Sequence, residues 1–117
     1  MPILLKRIYE KPLAEDGKRI LVERLWPRGL TKENAKVDEW LKDLAPSPEL
    51  RKWYSHDQTK WSEFKKRYWV ELDANRGALK TLAEEAKDRK VTFLFGSKEQ
   101  KLNSANVLKE YIETHGF

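Results

Sequence analysis

The 117-residue chain contains no cysteine. This absence excludes disulfides, thiolate catalysis and cysteine metal sites, and it fits a reducing compartment, so we expect a cytoplasmic protein. Histidine is also scarce: the chain has two, far apart and without a neighbouring acidic triplet. That spacing predicts no metal site, and the sequence identifies no cofactor.

Long apolar runs are missing as well. No stretch approaches the ~20 apolar residues that a membrane-spanning helix needs. Residues 1–7 become charged too soon for a secretory leader. We therefore expect no membrane association. The chain also lacks repeats, linkers and low-complexity tracts, which favours one domain over residues 1–117.

Charge and aromatic residues are plentiful. The 24 lysines and arginines exceed the 19 acidic residues, giving a net charge of +5. A basic balance favours anionic partners such as phosphate-bearing ligands, nucleic acids or acidic surfaces. The five tryptophans need a core or a binding face to occupy, which argues against disorder.

The hydrophobic pattern predicts an α/β fold. Strands are expected over residues 3–9, 19–25 and 91–95, and residues 37–44 fit either a strand or a helix. Helices are expected over residues 31–36, 48–54, 59–74 and 78–86, and after Asn103. This order predicts a small three-layer, Rossmann-like domain with about four strands and helices on both faces. The relative direction of the first two strands stays open because about ten residues join them, which is short for a parallel crossover.

The longest predicted helix carries an apolar stripe that we expect to be buried, formed by Trp61, Phe64, Tyr68 and Leu72. Bases and aromatics also alternate through residues 51–69, a pattern that binds single-stranded nucleic acid by stacking and charge. Because the same residues fit a buried stripe with a solvated opposite face, nucleic-acid binding is the second choice. A protein-interaction domain with docking tryptophans is the third.

The run Arg-Leu-Trp-Pro-Arg-Gly-Leu at residues 24–30 follows the second predicted strand. Ligands in open α/β folds bind outside the carboxyl ends of strands. Arg24 and Arg28 are suited to grip a phosphate or carboxylate through paired N–H donors. Trp26 either stacks on a ligand ring or fills the edge of the core. Glu23 is expected to orient an arginine or to accept a ligand hydroxyl.

A second loop follows the strand at residues 91–95. Its Gly96-Ser97-Lys98 turn and the helix start at Asn103 resemble an anion cradle, although the spaced glycines of a phosphate-binding loop are absent. We expect both loops to border one concavity for an anionic small molecule, either a nucleotide or a phosphorylated metabolite. The predicted ligand-binding residues are Glu23, Arg24, Trp26, Arg28, Lys98 and Asn103.

The sequence does not decide whether the protein catalyses a reaction. His56 and Asp57 combine a base with an acid, but adjacent residues seldom point at each other. Asp57 is better interpreted as a helix cap and His56 as a surface turn residue. No nucleophile–base pair is evident, so the sequence leaves open whether the protein is an enzyme, and it leaves the oligomeric state open too.

Several segments resemble the YeaO-like family of small bacterial proteins, built on a domain of unknown function. They lie at residues 6–9, 16–17, 21–30, 38–47, 49–53 and 64–68, and the Leu-Trp-Pro-Arg-Gly run at 25–29 is specific. The resemblance implies a single compact α/β domain. This chain has Glu23 where the family usually has aspartate, and Leu102-Asn103 where it usually has His-Asn. The missing histidine argues against a shared catalytic step and leaves Asn103, Arg24 and Arg28 as matched polar positions.

Overall fold

The computed structural model describes residues 3–99 and 102–116. In this part of the chain, four strands form one sheet: β1 (Ile3–Arg7), β2 (Lys18–Leu21), β3 (Glu39–Trp40) and β4 (Val91–Phe95). The α-helices are α1 (Lys32–Ala35), α2 (Pro48–Tyr54), α3 (Trp61–Asp73), α4 (Arg76–Asp88) and α5 (Ser104–His115). The small α/β domain is thereby confirmed, while its Rossmann-like character stays a prediction. No helix within the described residues is long and apolar enough to span a bilayer.

The sheet is parallel throughout, with strand order β1-β4-β2-β3. The last strand in sequence therefore inserts between the first two. Phe93 of β4 lies opposite Leu5 on one side and Ile20 on the other. Because β1 and β2 both pair with β4 in parallel, they also run parallel to each other, which settles the direction that the sequence left open. All five residues of β4 are buried, as its continuous apolar run predicts for a strand covered on both faces.

Three helices begin with a side-chain cap. The side chains of Thr31, Ser47 and Asn103 accept backbone N–H bonds at the starts of α1, α2 and α5. These caps satisfy donors that the first helical turn leaves without a partner.

Several predicted bounds were wrong. The second strand ends at Leu21, not at residue 25, and the first ends at Arg7, not at residue 9. Residues 37–44 form the two-residue β3 and then a short 3₁₀ turn at Lys42–Leu44. Thus the helical interpretation of that segment fails, and the strand interpretation holds for two residues only.

The two faces of the sheet are covered unequally. Side chains from α2 to α5 pack with Ile20, Phe93 and their neighbours in one large core cluster. The opposite face has a smaller cluster built on Leu21 and Leu94, with Ala35 of α1 and the partly buried Trp26. Helices thus lie on both faces, but the second face is covered mainly by α1 and loops.

A buried ion network reinforces the thinly covered face. The carboxylate of Asp16 accepts hydrogen bonds from the Leu13 N–H at 2.9 Å, Lys6 Nζ at 3.1 Å and an Arg19 guanidinium nitrogen at 2.6 Å. The rest of the Arg19 guanidinium donates to the carbonyls of Ala35 and Lys36. Burial alone would raise the Asp16 pKa, but these donors outweigh it and hold the pKa below its ordinary value. The network therefore ties β1, β2 and α1 together.

We expect Asp16→Ala to destabilise the fold by about 3–5 kcal/mol, because it leaves the buried Arg19 charge without its carboxylate. Urea unfolding measures this loss. Glu15→Ala, an exposed acidic neighbour, is the control and is expected to stay within about 0.5 kcal/mol of the parent. Equal midpoints for the two variants would contradict the role assigned to Asp16.

The same network predicts a pH dependence. Since the folded state lowers the Asp16 pKa, its contribution is fully present above the pKa of the unfolded chain. It is lost as the pH falls through that value toward the folded pKa. The stability difference between the parent and Asp16→Ala should therefore shrink on acidification, as urea melts at a series of acidic pH values will show.

Candidate functional site

A cavity of about 370 Å³ opens at the carboxyl ends of the parallel strands. Tyr9 follows β1, Glu23 follows β2 and Ser97 follows β4, so three strand ends contribute to its wall. The volume lies within the range of small-molecule sites, which are roughly 300–1,000 Å³. Its aromatic lining consists of Tyr9, Trp26, Tyr54, Trp61 and Phe64, and its polar lining includes Glu23, Arg51, His56, Ser97, Asn103 and Ser104.

Both predicted loops border this cavity, as expected. One side is formed by Glu23 and residues 25–27, the other by Gly96, Ser97 and residues 102–103. Residues 100 and 101 of the second loop lie outside the described part of the chain. A direct contact joins the loops, because the Gly96 N–H donates to Glu23 Oε1 at 3.0 Å. Glu23 is therefore both a wall of the cavity and the link between its two sides.

The structure separates the predicted site residues into two groups. Glu23, Trp26 and Asn103 line the cavity, whereas Arg24, Arg28 and Lys98 are absent from its described lining. Arg24 instead donates to the carbonyls of Ala45 at 3.0 Å and Pro46 at 3.3 Å. Arg24 lies in the loop after β2, as expected, but there it holds the segment that leads into α2.

The other two predicted cations are exposed to solvent. Arg28 reaches the site through its backbone, since its carbonyl accepts the Tyr9 hydroxyl at 3.0 Å. Lys98 lies on the exposed turn after Ser97. The cation that does line the cavity is Arg51 of α2. Within the described residues, Arg51 has no carboxylate at ion-pair distance.

Glu23 has an unusual environment for a carboxylate. Burial raises its pKa, while the Gly96 N–H and the nearby Arg51 charge oppose that rise. Its second oxygen, Oε2, has no hydrogen-bond partner among the described residues and is not sealed from solvent. Since Glu23 lines the cavity, this oxygen presents an unused acceptor to the cavity.

Trp61 corrects the predicted core stripe. Phe64, Tyr68 and Leu72 are buried as expected, but Trp61 at the start of α3 is only partly buried and lines the cavity. Its ring stacks on Phe64 with centroids 5.3 Å apart and meets the edge of Tyr54 at 5.8 Å. The first turn of α3 therefore borders the cavity while its later turns enter the core.

Trp26 is fixed in place by its own contacts. Its indole N–H donates to the Leu30 carbonyl at 2.8 Å, and its ring meets Trp40 edge-on with centroids 5.5 Å apart. It packs against the smaller core cluster and also lines the cavity. Trp26 thus fills the edge of the core, one of the two alternatives from the sequence, and stacking on a ligand ring stays a prediction.

The His56–Asp57 pair does not form a base with its orienting acid. Asp57 Oδ1 accepts the Thr59 N–H at 3.0 Å and the Thr59 hydroxyl at 2.6 Å, so Asp57 caps the turn before α3 as predicted. His56 lies at the cavity with a left-handed backbone, φ 59°. Such a conformation costs about 1–3 kcal/mol in a non-glycine residue, which the neighbouring structure must offset.

The basic-aromatic segment uses its stacking faces internally. The Arg67 guanidinium lies 4.0 Å from the centre of the Trp53 ring, and Lys60 Nζ lies 5.0 Å from it. Lys65 covers Trp69 in the same way at 5.6 Å. These cation–π contacts occupy faces that a nucleic-acid base would need.

The predicted ligand site left out several residues of the cavity lining, among them Tyr9, Arg51, Tyr54 and Trp61. Tyr9 had a usable signal, because it directly follows a strand whose neighbours also end in loops. Arg51, Tyr54 and Trp61 belong to the basic-aromatic segment at residues 51–69, whose pattern favours nucleic-acid binding or a buried stripe and not a small-molecule site. In the described part of the chain, no group of three histidine, aspartate or glutamate side chains is arranged to hold a metal ion.

Comparison with known proteins places this geometry in a family. Residues 2–116 match the family model described as "Inactive DUF488-N3 subclade". The chain is 39% identical over 114 residues to Uncharacterized protein YeaO of Escherichia coli K12, covering 97% of the chain and 99% of that relative. The chain belongs to the YeaO-like family.

Other relatives of this YeaO-like domain are mycobacterial. Uncharacterized protein Mb3100c of Mycobacterium bovis and Uncharacterized protein Rv3073c of Mycobacterium tuberculosis are each 46% identical over 70 residues. Those matches cover 60% of the chain and 59% of each relative. No solved structure shows a significant match to the chain.

The different burial of two stacked rings gives a prediction. Phe64→Ala should cost about 3–5 kcal/mol of stability, because Phe64 is buried in the core and only 4% exposed. Trp61→Ala should cost less, about 1–2 kcal/mol, because part of the Trp61 ring faces the cavity. The variant therefore loses mainly the aromatic contacts of that ring. Urea unfolding of both variants measures the difference. A larger loss for Trp61→Ala would place that ring in the core instead.

Proposed function

We propose that the cavity binds an anionic small molecule that carries a flat ring, in the class of nucleotides. The observation that carries this proposal is the combination of five aromatic side chains with Arg51 and His56 around one 370 Å³ space. Flat rings stack favourably on aromatic faces, and a cation at the same site selects an anionic substituent. An apolar pocket with a few placed polar groups is the usual form of a small-molecule site.

The ring would lie against Trp61. One face of this indole stacks on Phe64, and Tyr54 meets it edge-on, so these contacts hold the ring in one orientation. A side chain held in place loses little entropy when a ligand stacks on it, which favours binding. Trp26, fixed by its bond to Leu30, supports the opposite loop.

The anionic group would lie near Arg51. This guanidinium has no carboxylate at ion-pair distance within the described residues, so its donors are available. The start of α5 at Ser104 also borders the cavity, and a helix N-terminus favours negative charge. Arg28 and Lys98 adjoin the lining residues Pro27 and Ser97, and their charges would steer an anion toward the opening. Arg24, already bonded to two carbonyls, serves the loop.

A binding role without catalysis fits this family member best. Leu102 lines the cavity at the position where the family resemblance implies a histidine, and its side chain cannot transfer a proton. The matched family model is itself described as inactive. We retain the cytoplasm as the proposed location because the chain has no cysteine.

A thermal-shift screen against nucleotides, sugar phosphates and organic acids tests this proposal. A ligand at 100 times its dissociation constant stabilises the folded state by about 2.7 kcal/mol. We expect nucleotides to raise the melting temperature and to quench tryptophan fluorescence. If no member of these classes binds, the proposed function is wrong.

Arg51→Ala should weaken binding of the ligand that the screen finds by about 10- to 100-fold, since a hydrogen bond to a charged group contributes roughly 1.5–3 kcal/mol. The stability of the Arg51→Ala variant should differ little from that of the parent, because Arg51 is exposed. Lys52→Ala removes the same charge from the next position of α2, outside the cavity lining, and is the matched control. Arg28→Ala should have a smaller effect than Arg51→Ala. Equal calorimetric affinities for the Arg51 and Lys52 variants would remove Arg51 from the site.

A further inference from the structure

The unused oxygen of Glu23 defines what chemistry the cavity can accept. Glu23 Oε1 is held by the Gly96 N–H at 3.0 Å, while Oε2 has no partner among the described residues. An ionised carboxylate only accepts hydrogen bonds. Because this oxygen is not sealed from solvent, water can bond to it, and a ligand that displaces the water must supply a donor or leave the acceptor unpaired.

We infer that the ring bound in this cavity is of the guanine type, with a ring N–H beside an exocyclic amino group, and that Glu23 is the residue that selects it. The inference rests on the proposed function. A carboxylate accepts both donors of such an edge in a planar, paired arrangement. The adenine ring presents an unprotonated nitrogen at the corresponding position, which places two acceptors against each other.

The groups around Glu23 keep it suited to this role. Burial raises the pKa of Glu23, and the Gly96 N–H and the Arg51 charge oppose that rise by favouring the ionised form. Tyr68, buried nearby, already donates its hydroxyl to the Leu44 carbonyl at 2.5 Å and so does not take the free oxygen. The remaining titratable side chains of the described lining are Tyr9, Tyr54 and His56.

Selection by Glu23 is separable from anion binding by Arg51. GMP and AMP carry the same phosphate and differ only in the base. A ratio of their affinities therefore reports the contact with the base, while their average affinity reports the cavity as a whole. Discrimination by a well-placed pair of hydrogen bonds is worth about 1–3 kcal/mol, which corresponds to roughly 5- to 150-fold.

The test is calorimetric titration of the full chain with GMP and with AMP. We expect GMP to bind at least about fivefold more tightly. Equal binding, or a preference for AMP, overturns the inference and leaves the proposed function standing. If neither nucleotide binds, both are overturned.

Glu23→Gln tests the role of Glu23 directly, because the variant keeps the hydrogen bond between the two loops. The Gly96 N–H still needs an acceptor, so the amide oxygen takes the place of Oε1 and the amide NH₂ faces the cavity. The acceptor presented to the ligand becomes a donor. We expect the preference for GMP to disappear, with GMP weakened at least about fivefold and AMP unchanged or strengthened.

Glu84→Gln is the matched control, an exposed glutamate of α4 that lies outside the cavity lining and should leave both affinities unchanged. Thermal melts of both variants check that the fold is retained. A Glu23→Gln protein that folds normally and keeps the parent's preference shows that Glu23 only joins the loops, which overturns its selecting role.

Discussion

β4 forms hydrogen bonds with β1 on one edge and β2 on the other, and the cavity depends on this double pairing. By entering between the two earlier strands, β4 places its following turn beside the end of β2. The Gly96 N–H thereby meets the Glu23 carboxylate. The same turn leads into α5, whose first residues complete the wall. Loss of the β4 pairing would therefore separate the two loops that border the cavity.

The two faces of the sheet are covered in different ways. One face is covered by four helices and forms an apolar core around Phe93. The other has little helical cover, and a charged network of Lys6, Asp16 and Arg19 lies beside its small apolar cluster. Buried charges are tolerated there because each finds a partner, including backbone carbonyls of α1. Stability on this face rests on polar geometry more than on apolar area.

The cavity combines an apolar lining with a carboxylate whose hydrogen bonding is incomplete. Two arginines that follow Glu23 in sequence have different tasks. Arg24 bonds to the carbonyls of Ala45 and Pro46, while Arg51 stands at the cavity without a carboxylate at ion-pair distance in the described residues. A loop held by Arg24 and a cation without an ion-pair partner in the described residues both support the proposed binding site. Leu102 in the same wall has a side chain that cannot transfer a proton.

Local chemistry in the sequence determined the class of fold, the capped starts of α2 and α5, and the meeting of two loops at one sheet edge. Those features depend on neighbouring residues and on parallel strands sharing an edge. The tertiary structure alone decided the central place of β4, the diversion of Arg24 and the partial exposure of Trp61. Each of these depends on partners far along the chain, such as the Pro46 carbonyl for Arg24. A side chain in a loop turns toward the distant group that satisfies its hydrogen bonds. The hydrophobic periodicity of the sequence does not show which group that is.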